Sequence, residues 1–214
     1  MNRGHISAPD HREFLEWLTP HLDHYDLRAR EWVVQHNIFA DEATLARYAA
    51  LNFHLTTSLS FCWGKGDMYA ERLGEDALKD LMRVSAMFAT GANVGLGSDW
   101  GPASPFEHMA LAQTCEFAGS GRRHDGPGYS ITRQQALDGW TRNTARLMQW
   151  RGIGALQPGY KADLAIVDRN PLTCALEDLP KTQVLRTVFD GVDVFDTKVL
   201  PRLDDNELPA ERIQ

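Results

Sequence analysis

The sequence predicts an α/β protein with a parallel sheet, followed by a smaller β-rich piece. Three observations lead there. Short apolar, β-branched runs alternate with helical patterns at a repeat of roughly 30 residues. The runs at Trp32–Gln35 and Gly91–Asp99 lead directly into chemistry-bearing side chains, His36 and Asp99. After Gly152 the helical pattern stops and strand alternation takes over, which places a domain boundary near residue 150.

Taken in order, Arg12 to about Thr19 forms a helix with Phe14, Leu15, Trp17 and Leu18 on one face, ended or kinked by Pro20. Trp32–Gln35 is a short buried strand that runs out at His36. Asp41 caps a helix carrying Leu45, Tyr48, Ala49 and Leu51. Phe53–Leu59 is a second strand. A loop containing Gly64, Gly66 and Gly74 leads to a helix from about Asp76 to Thr90. Gly91–Asp99 is a glycine-flanked strand, followed by a helix over Phe106–Phe117 and a Gly/Arg-rich loop from Gly119 to Gly128. Thr132 and Gln135 form a capping box that opens a helix with Leu137, Trp140, Leu147 and Met148 inward. In the β-rich piece, over 151–200, Ala162–Asp168 is a strand and Val184–Phe195 a hairpin turning at Asp190-Gly191. Residues 201–214 form a loose polar tail.

The balance of charge excludes several classes. The 214 residues carry 22 Lys+Arg against 29 Asp+Glu, a net charge of −7, with 43% hydrophobic residues. An acidic chain without a basic run is a poor binder of phosphate backbones, so nucleic acid is not expected as a partner. No apolar run approaches the ~20 residues that span a bilayer, so no membrane is expected either. Met1–Asp10 lacks the apolar stretch of a secretory signal. Three cysteines without a CxxC pair suggest neither a disulfide framework nor a cysteine zinc site. The expected compartment is the reducing cytoplasm.

His36 and Asp99 fall at the C-terminal ends of predicted parallel strands, about two βα units apart, and His5 precedes His36 by about one unit more. Functional residues of parallel barrels gather at strand C-termini, so these three would converge on one face. Two imidazoles and a carboxylate suit a hydrolytic zinc site, and the carboxylate is placed to take a proton from an activated water. A His or Asp at a strand end is also a common cap or surface residue. His21 and His24 fit a solvated helix better than a ligand pair. His54 begins a strand and either lines the same mouth or is structural. His108 and His124 carry no spacing signal, and Arg122-Arg123-His124 reads as a solvated loop. Trp63, Tyr69 and Trp100, in the loops Ser60–Gly74 and Gly101–Ser104 or beside them, would make an apolar wall for substrate, although loop aromatics are as often packing.

Val94-Gly-Leu-Gly-Ser-Asp-Trp100 resembles the last barrel strand of the amidohydrolase superfamily, in the family-3 branch that includes N-substituted formamide deformylase-like enzymes. Val34-Gln-His-Asn37 sits where that family has its sixth-strand metal histidine. Thr132–Ala145 resembles the helix after the last strand, and Gly154–Asp168 the return to a small β-sandwich. The resemblance covers nearly all of residues 1–200.

It implies the C-terminal part of a (β/α)8 TIM-type barrel, about strands five to eight over 1–150, and then part of a β-sandwich. It also implies a hydrolase of non-peptide, amide-like C–N bonds in small molecules, with a divalent metal, commonly zinc. By motif, His36 is a metal ligand, Asp99 both a ligand and the catalytic base, and His5 the fifth-strand ligand. The family's His-x-x-Gly-Asp is His5-Ile-Ser-Ala-Pro-Asp10 here, one residue longer and without its glycine. Trp63, Trp100 and His54 are the expected substrate contacts. No first-strand His-x-His occurs. A barrel takes ~250 residues, so the roughly 150 before the β-rich piece hold about four of eight units. Open sheet edges would then call for a missing N-terminal half-chain or a homo-oligomer. The other expectation is a catalytically inactive remnant or oligomerising binding module.

Overall fold

A computed structural model describes residues 8–198 of the chain; His5 and the tail 201–214 lie outside the described residues. Strands β1 (Val33–Val34), β2 (His54–Thr57) and β3 (Val94–Leu96) pair in parallel in that order, with Val34 opposite Leu55, Leu55 opposite Val94 and Thr57 opposite Leu96. Among the described residues this is a partial sheet and not a closed barrel. The expected α/β class and parallel pairing hold. The buried character expected of the first strand does not: Trp32 is 41% and Val33 38% exposed. Among the described residues β1 is a two-residue edge strand with a neighbour on one side only, and it is left part-exposed.

Helices α1 (Ala8–Leu18), α2 (Glu42–Ala50) and α4 (Val84–Ala89) cover one part of the sheet. Leu15, Leu18, Leu45, Tyr48, Leu55, Met87 and Val94 form a single buried cluster there. Burying a leucine of this kind contributes roughly 1.5–3 kcal/mol. Asp41 caps α2 by accepting the Thr44 N–H at 2.8 Å, as the sequence predicts. Pro20 lies in a 3-10 turn, Thr19–His21, that ends α1. Trp17, expected inward, is 63% exposed, because Leu15 and Leu18 already set the buried stripe of α1.

The largest departure lies at Ser60–Leu73, where a loop is expected and helix α3 stands. Gly64 and Gly66 punctuate no turn. A Cβ on Gly64 would meet the Trp100 ring at 2.4 Å, and one on Gly66 the Phe117 ring at 2.4 Å. Both glycines exist for close approach. The helix expected over Asp76–Thr90 is split into a 3-10 segment, Glu75–Asp80, and α4. Between them Met82 turns left-handed (φ 50°) and donates its N–H to Ile38 O at 2.8 Å.

A second cluster joins α3 to α5 (Pro105–Thr114) and α6 (Arg133–Trp140) through Phe61, Cys62, Leu96, Met109, Phe117 and Ala136. Capping boxes open both later helices, Ser104 with Glu107 and Thr132 with Gln135. The chain breaks at Thr141 before α7 (Arg142–Leu147), and Met148, expected inward, is exposed. α7 lies against β3, where Asn143 Nδ2 donates to Val94 O at 3.0 Å. Beyond it, β4 (Leu164–Val167), β5 (Val184–Phe189) and β6 (Val192–Asp196) form an antiparallel sheet. The β5–β6 hairpin turns at Asp190 (φ 49°) and Gly191 (φ 82°), as expected. Among the described residues no helix is long and apolar enough to cross a membrane.

Two outcomes follow from this packing. Gly66→Ala is expected to destabilise the fold by about 1–3 kcal/mol in urea unfolding, although alanine is the better helix former by ~1 kcal/mol, because the Phe117 ring is itself fully buried. An unchanged or raised midpoint would refute the close approach. The second concerns His11, buried in α1 and sharing a 2.8 Å hydrogen bond with the Tyr48 hydroxyl. Burial lowers its pKa to about 4, against a smaller upward pull from Asp10 and Asp41. The unfolded imidazole binds its proton near pH 6.5 and the folded one only near 4, so stability is lost as pH falls through that window. The loss is expected to reach up to about 3 kcal/mol, and His11→Gln should flatten this slope of stability between pH 7 and 4.5.

Candidate active site

Parallel register delivers all three strands to one end of the sheet, and the turns that follow are built from residues that tolerate left-handed backbone. His36 (φ 70°) and Asn37 (φ 47°) follow β1, and Asp99 (φ 54°) follows β3. Asn, Asp and His are the side chains most often found in that region after glycine. The buried Asn37 amide ties two strand ends together, donating to Val34 O at 2.8 Å and Thr56 O at 3.2 Å. Thr57 Oγ1 donates to the His36 carbonyl.

The turn carrying Asp99 is held by two serines from the start of α3. Ser60 Oγ donates to Ser98 O at 2.5 Å, and Ser58 Oγ lies 2.8 Å from both Ser98 O and Ser60 Oγ. Gly101 must lack a side chain, since a Cβ there would fall 2.1 Å from Ser60 Oγ. The result brings His36 Nε2 to 3.4 Å from Asp99 Oδ2, with the two side chains 30% and 33% exposed. The His36 ring also meets Phe61 edge-on at 5.1 Å, and Phe61 meets Trp100 at 6.1 Å.

His36, Asp99 and Trp100 therefore gather at one end, and the other expected substrate contacts are set apart from them. His54 is the first residue of β2, at the opposite end of the sheet. It is buried, its Nε2 stands 4.0 Å from Glu31 Oε1, and burial holds its pKa below the ordinary histidine value. Trp63 points from α3 into a separate depression of about 320 Å³ with Pro102, Glu107 and Leu176. Tyr69 packs edge-on against Phe39 at 5.0 Å. Trp63 and Tyr69 do not join Trp100 in one wall, because α3 is a helix and sends the two to different sides of its circumference. His108 is buried with Nε2 2.8 Å from Pro102 O, and Arg122 pairs with Glu75 at 2.7 Å.

Sequence reasoning missed Asn37, Thr57, Ser58, Ser60 and Phe61. The rule that selected His36 and Asp99, polar residues just past a strand's C-terminus, applies equally to Asn37, Ser58 and Ser60. Among the described residues no three His, Cys, Asp or Glu side chains are grouped to hold a metal. His36 and Asp99 fit such an ion as two donors, an imidazole nitrogen and a carboxylate oxygen, from the ends of β1 and β3 on either side of β2.

Residues 6–195 match the profile of the amidohydrolase family. The chain belongs to the amidohydrolase family. It is 34% identical over 166 residues to an N-substituted formamide deformylase of Arthrobacter pascens, covering 74% of this chain and 30% of that enzyme. A metal-dependent hydrolase from Pyrococcus furiosus superposes with a TM-score of 0.62 at 22% identity, over 78% of this chain and 33% of that one. An adenosine deaminase from Xanthomonas campestris with bound zinc superposes with a TM-score of 0.60 at 18% identity, over 87% of this chain and 42% of that one. At these identities the two structures speak to the fold alone. This amidohydrolase chain spans about a third of the length of the relatives it matches.

The Asn37 knot is testable apart from any activity. Asn37→Ala removes two hydrogen bonds and replaces a residue that tolerates φ 47° with one that does so less well, for an expected loss of roughly 2–4 kcal/mol in urea unfolding. Asn37→Gly, free of the backbone cost, should lose about 1 kcal/mol less. Equal losses would show that the left-handed turn contributes nothing.

Proposed function

We propose that this chain forms the C-terminal part of a metal-dependent amidohydrolase site that hydrolyses non-peptide, amide-like C–N bonds in small molecules. The observation that carries the reading is the 3.4 Å approach of His36 Nε2 and Asp99 Oδ2 across the C-terminal ends of β1 and β3. Membership of the family and the likeness to a formamide deformylase support the substrate class. In this reading residues 1–150 belong to a (β/α)8 barrel and 151–200 to a β-sandwich.

His36 and Asp99 are two of the metal ligands, and His5, outside the described residues, is a third. Donors from a complementary stretch of polypeptide complete the set, in an N-terminal half-chain or a second copy. Zinc is the divalent ion expected, in keeping with the zinc of the Xanthomonas relative. When bound, it polarises the scissile carbonyl and acidifies water. Asp99, with Oδ2 beside His36, accepts the water's proton at its other oxygen, Oδ1. Water's oxygen bonds to the carbonyl carbon, the C–N bond breaks, and Asp99 returns the proton to the leaving nitrogen. Ser58 and Ser60 hold the Asp99 turn in place by fixing Ser98 O.

The competing reading is a catalytically inactive remnant or oligomerising binding module, favoured by the absence of a His-x-His pair from the sequence and by only two grouped donors among the described residues, where a catalytic zinc takes three. Metal content and turnover together decide between them. Folded protein purified from zinc-supplemented medium is expected to hold near-stoichiometric metal that Asp99→Ala removes, and Asp99→Asn should cut hydrolysis of N-substituted formamides by about 10²-fold or more. Turnover unchanged in Asp99→Asn would overturn the hydrolase reading, and folded, metal-free protein would show that His36 and Asp99 do not hold the ion without the complementary stretch.

A further inference from the structure

A second built feature stands beside His36 and Asp99. The Trp100 indole follows Asp99 directly and rests on α3 at Gly64, where even a Cβ would meet its ring at 2.4 Å. Phe61, one turn earlier, closes edge-on at 6.1 Å. Lys65 then places its ammonium 5.2 Å from the Trp100 ring centroid and 5.5 Å from that of Phe61. Phe61, Gly64 and Lys65 thus lie within about one helical turn and hold one indole between them. Trp100 remains 43% exposed despite that bed.

Lys65 is half-buried as a residue, and among the described residues no carboxylate forms an ion pair with its ammonium. Several other cations among the described residues are differently placed: Arg12, Lys79, Arg83, Arg122, Arg142, Lys161 and Arg186 each sit on an Asp or Glu. A lysine steadied by two aromatic faces loses part of its hydration, which strengthens its attraction for an incoming anion. The flexible stem carries the charge as a point, suited to one carboxylate rather than to a planar fork.

We propose that Lys65 and Trp100 form a substrate subsite that selects amide-like compounds bearing a carboxylate, the ammonium taking the anion and the open indole face the apolar body. This deepens the hydrolase reading of His36 and Asp99 and rests on it. The subsite names a substrate class, an N-acyl or N-formyl compound with an acidic group near the scissile bond.

The test compares N-formylphenylalanine with its neutral amide, which share one body and differ in charge. Binding is read from the ¹⁵N-indole resonances of the labelled full chain, with the Trp100 peak assigned by Trp100→Phe. The carboxylate is expected to bind about five- to tenfold more tightly and to shift the Trp100 peak. Lys65→Met keeps the aliphatic stem over the rings and should bring the two affinities within twofold. Lys65→Arg should keep a preference for the acid. Equal affinities in the wild-type chain, or a preference that survives Lys65→Met, would overturn the proposal. Formamide turnover measured on the same samples reports separately on His36 and Asp99: a charge preference lost in Lys65→Met while turnover is unchanged in Asp99→Asn would defeat the hydrolase reading and leave the anion subsite standing.

Discussion

Because β1, β2 and β3 run parallel in fixed register, the chain leaves all three strands at the same end, and each exit must be turned without spoiling its neighbour. A parallel ladder sets Val34, Leu55 and Val94 level, so His36 follows β1 near the level of Leu96 and Asp99 comes three residues beyond it, with β2 between them. Bringing their side chains across that middle strand requires both turns to curl inward. The left-handed conformations of His36, Asn37 and Asp99 do this. The Asn37 amide and the Ser58–Ser60–Ser98 knot then hold the curled ends down. Without the register, neither turn would have a partner to lean on.

Helix α3 is the second organiser, and it works by what its residues omit as much as by what they present. Its first turn gives Ser60 to the Asp99 loop and Phe61 to the His36 ring. Its bare backbone at Gly64 admits the Trp100 indole and at Gly66 the Phe117 ring. Two glycines in a helix interior each cost about 1 kcal/mol relative to alanine. That penalty is offset by burying Phe117 completely and by seating an indole beside the candidate site.

The legible parts of this fold were those in which the signal is local. A cap is a matter of three or four residues, so Asp41 and the Thr132–Gln135 box could be placed from sequence, as could the Asp190–Gly191 hairpin. Strand alternation with helices gave the parallel sheet, and polar residues at strand ends gave His36 and Asp99. What escaped was tertiary. Gly64 and Gly66 look like turn residues until the rings that press on them are known, and those rings come from positions 100 and 117. The same error displaced Trp63 and Tyr69, which a loop would leave together and a helix sends to different sides. His54 was ambiguous for a related reason: a strand shows its alternation in sequence, but only the direction of pairing says which end a residue occupies.

The site is asymmetric in a way that bears on what completes it. On the β3 side α7 supplies Asn143 to the Val94 carbonyl and sets Thr144 close to that of Leu96. The β1 side is two residues long and carries exposed Trp32 and Val33. An exposed, apolar strand edge is a template for another strand. A strand added there would lie next to Val33–Val34, and a side chain leaving its C-terminal end would reach His36 before it reached Asp99. Among the described residues no strand pairs with that edge, so a further donor for an ion held by this pair is best supplied from the β1 side. A closed barrel would pair the outer edge of β3 as well, where the side chains of Asn143 and Thr144 now meet its carbonyls.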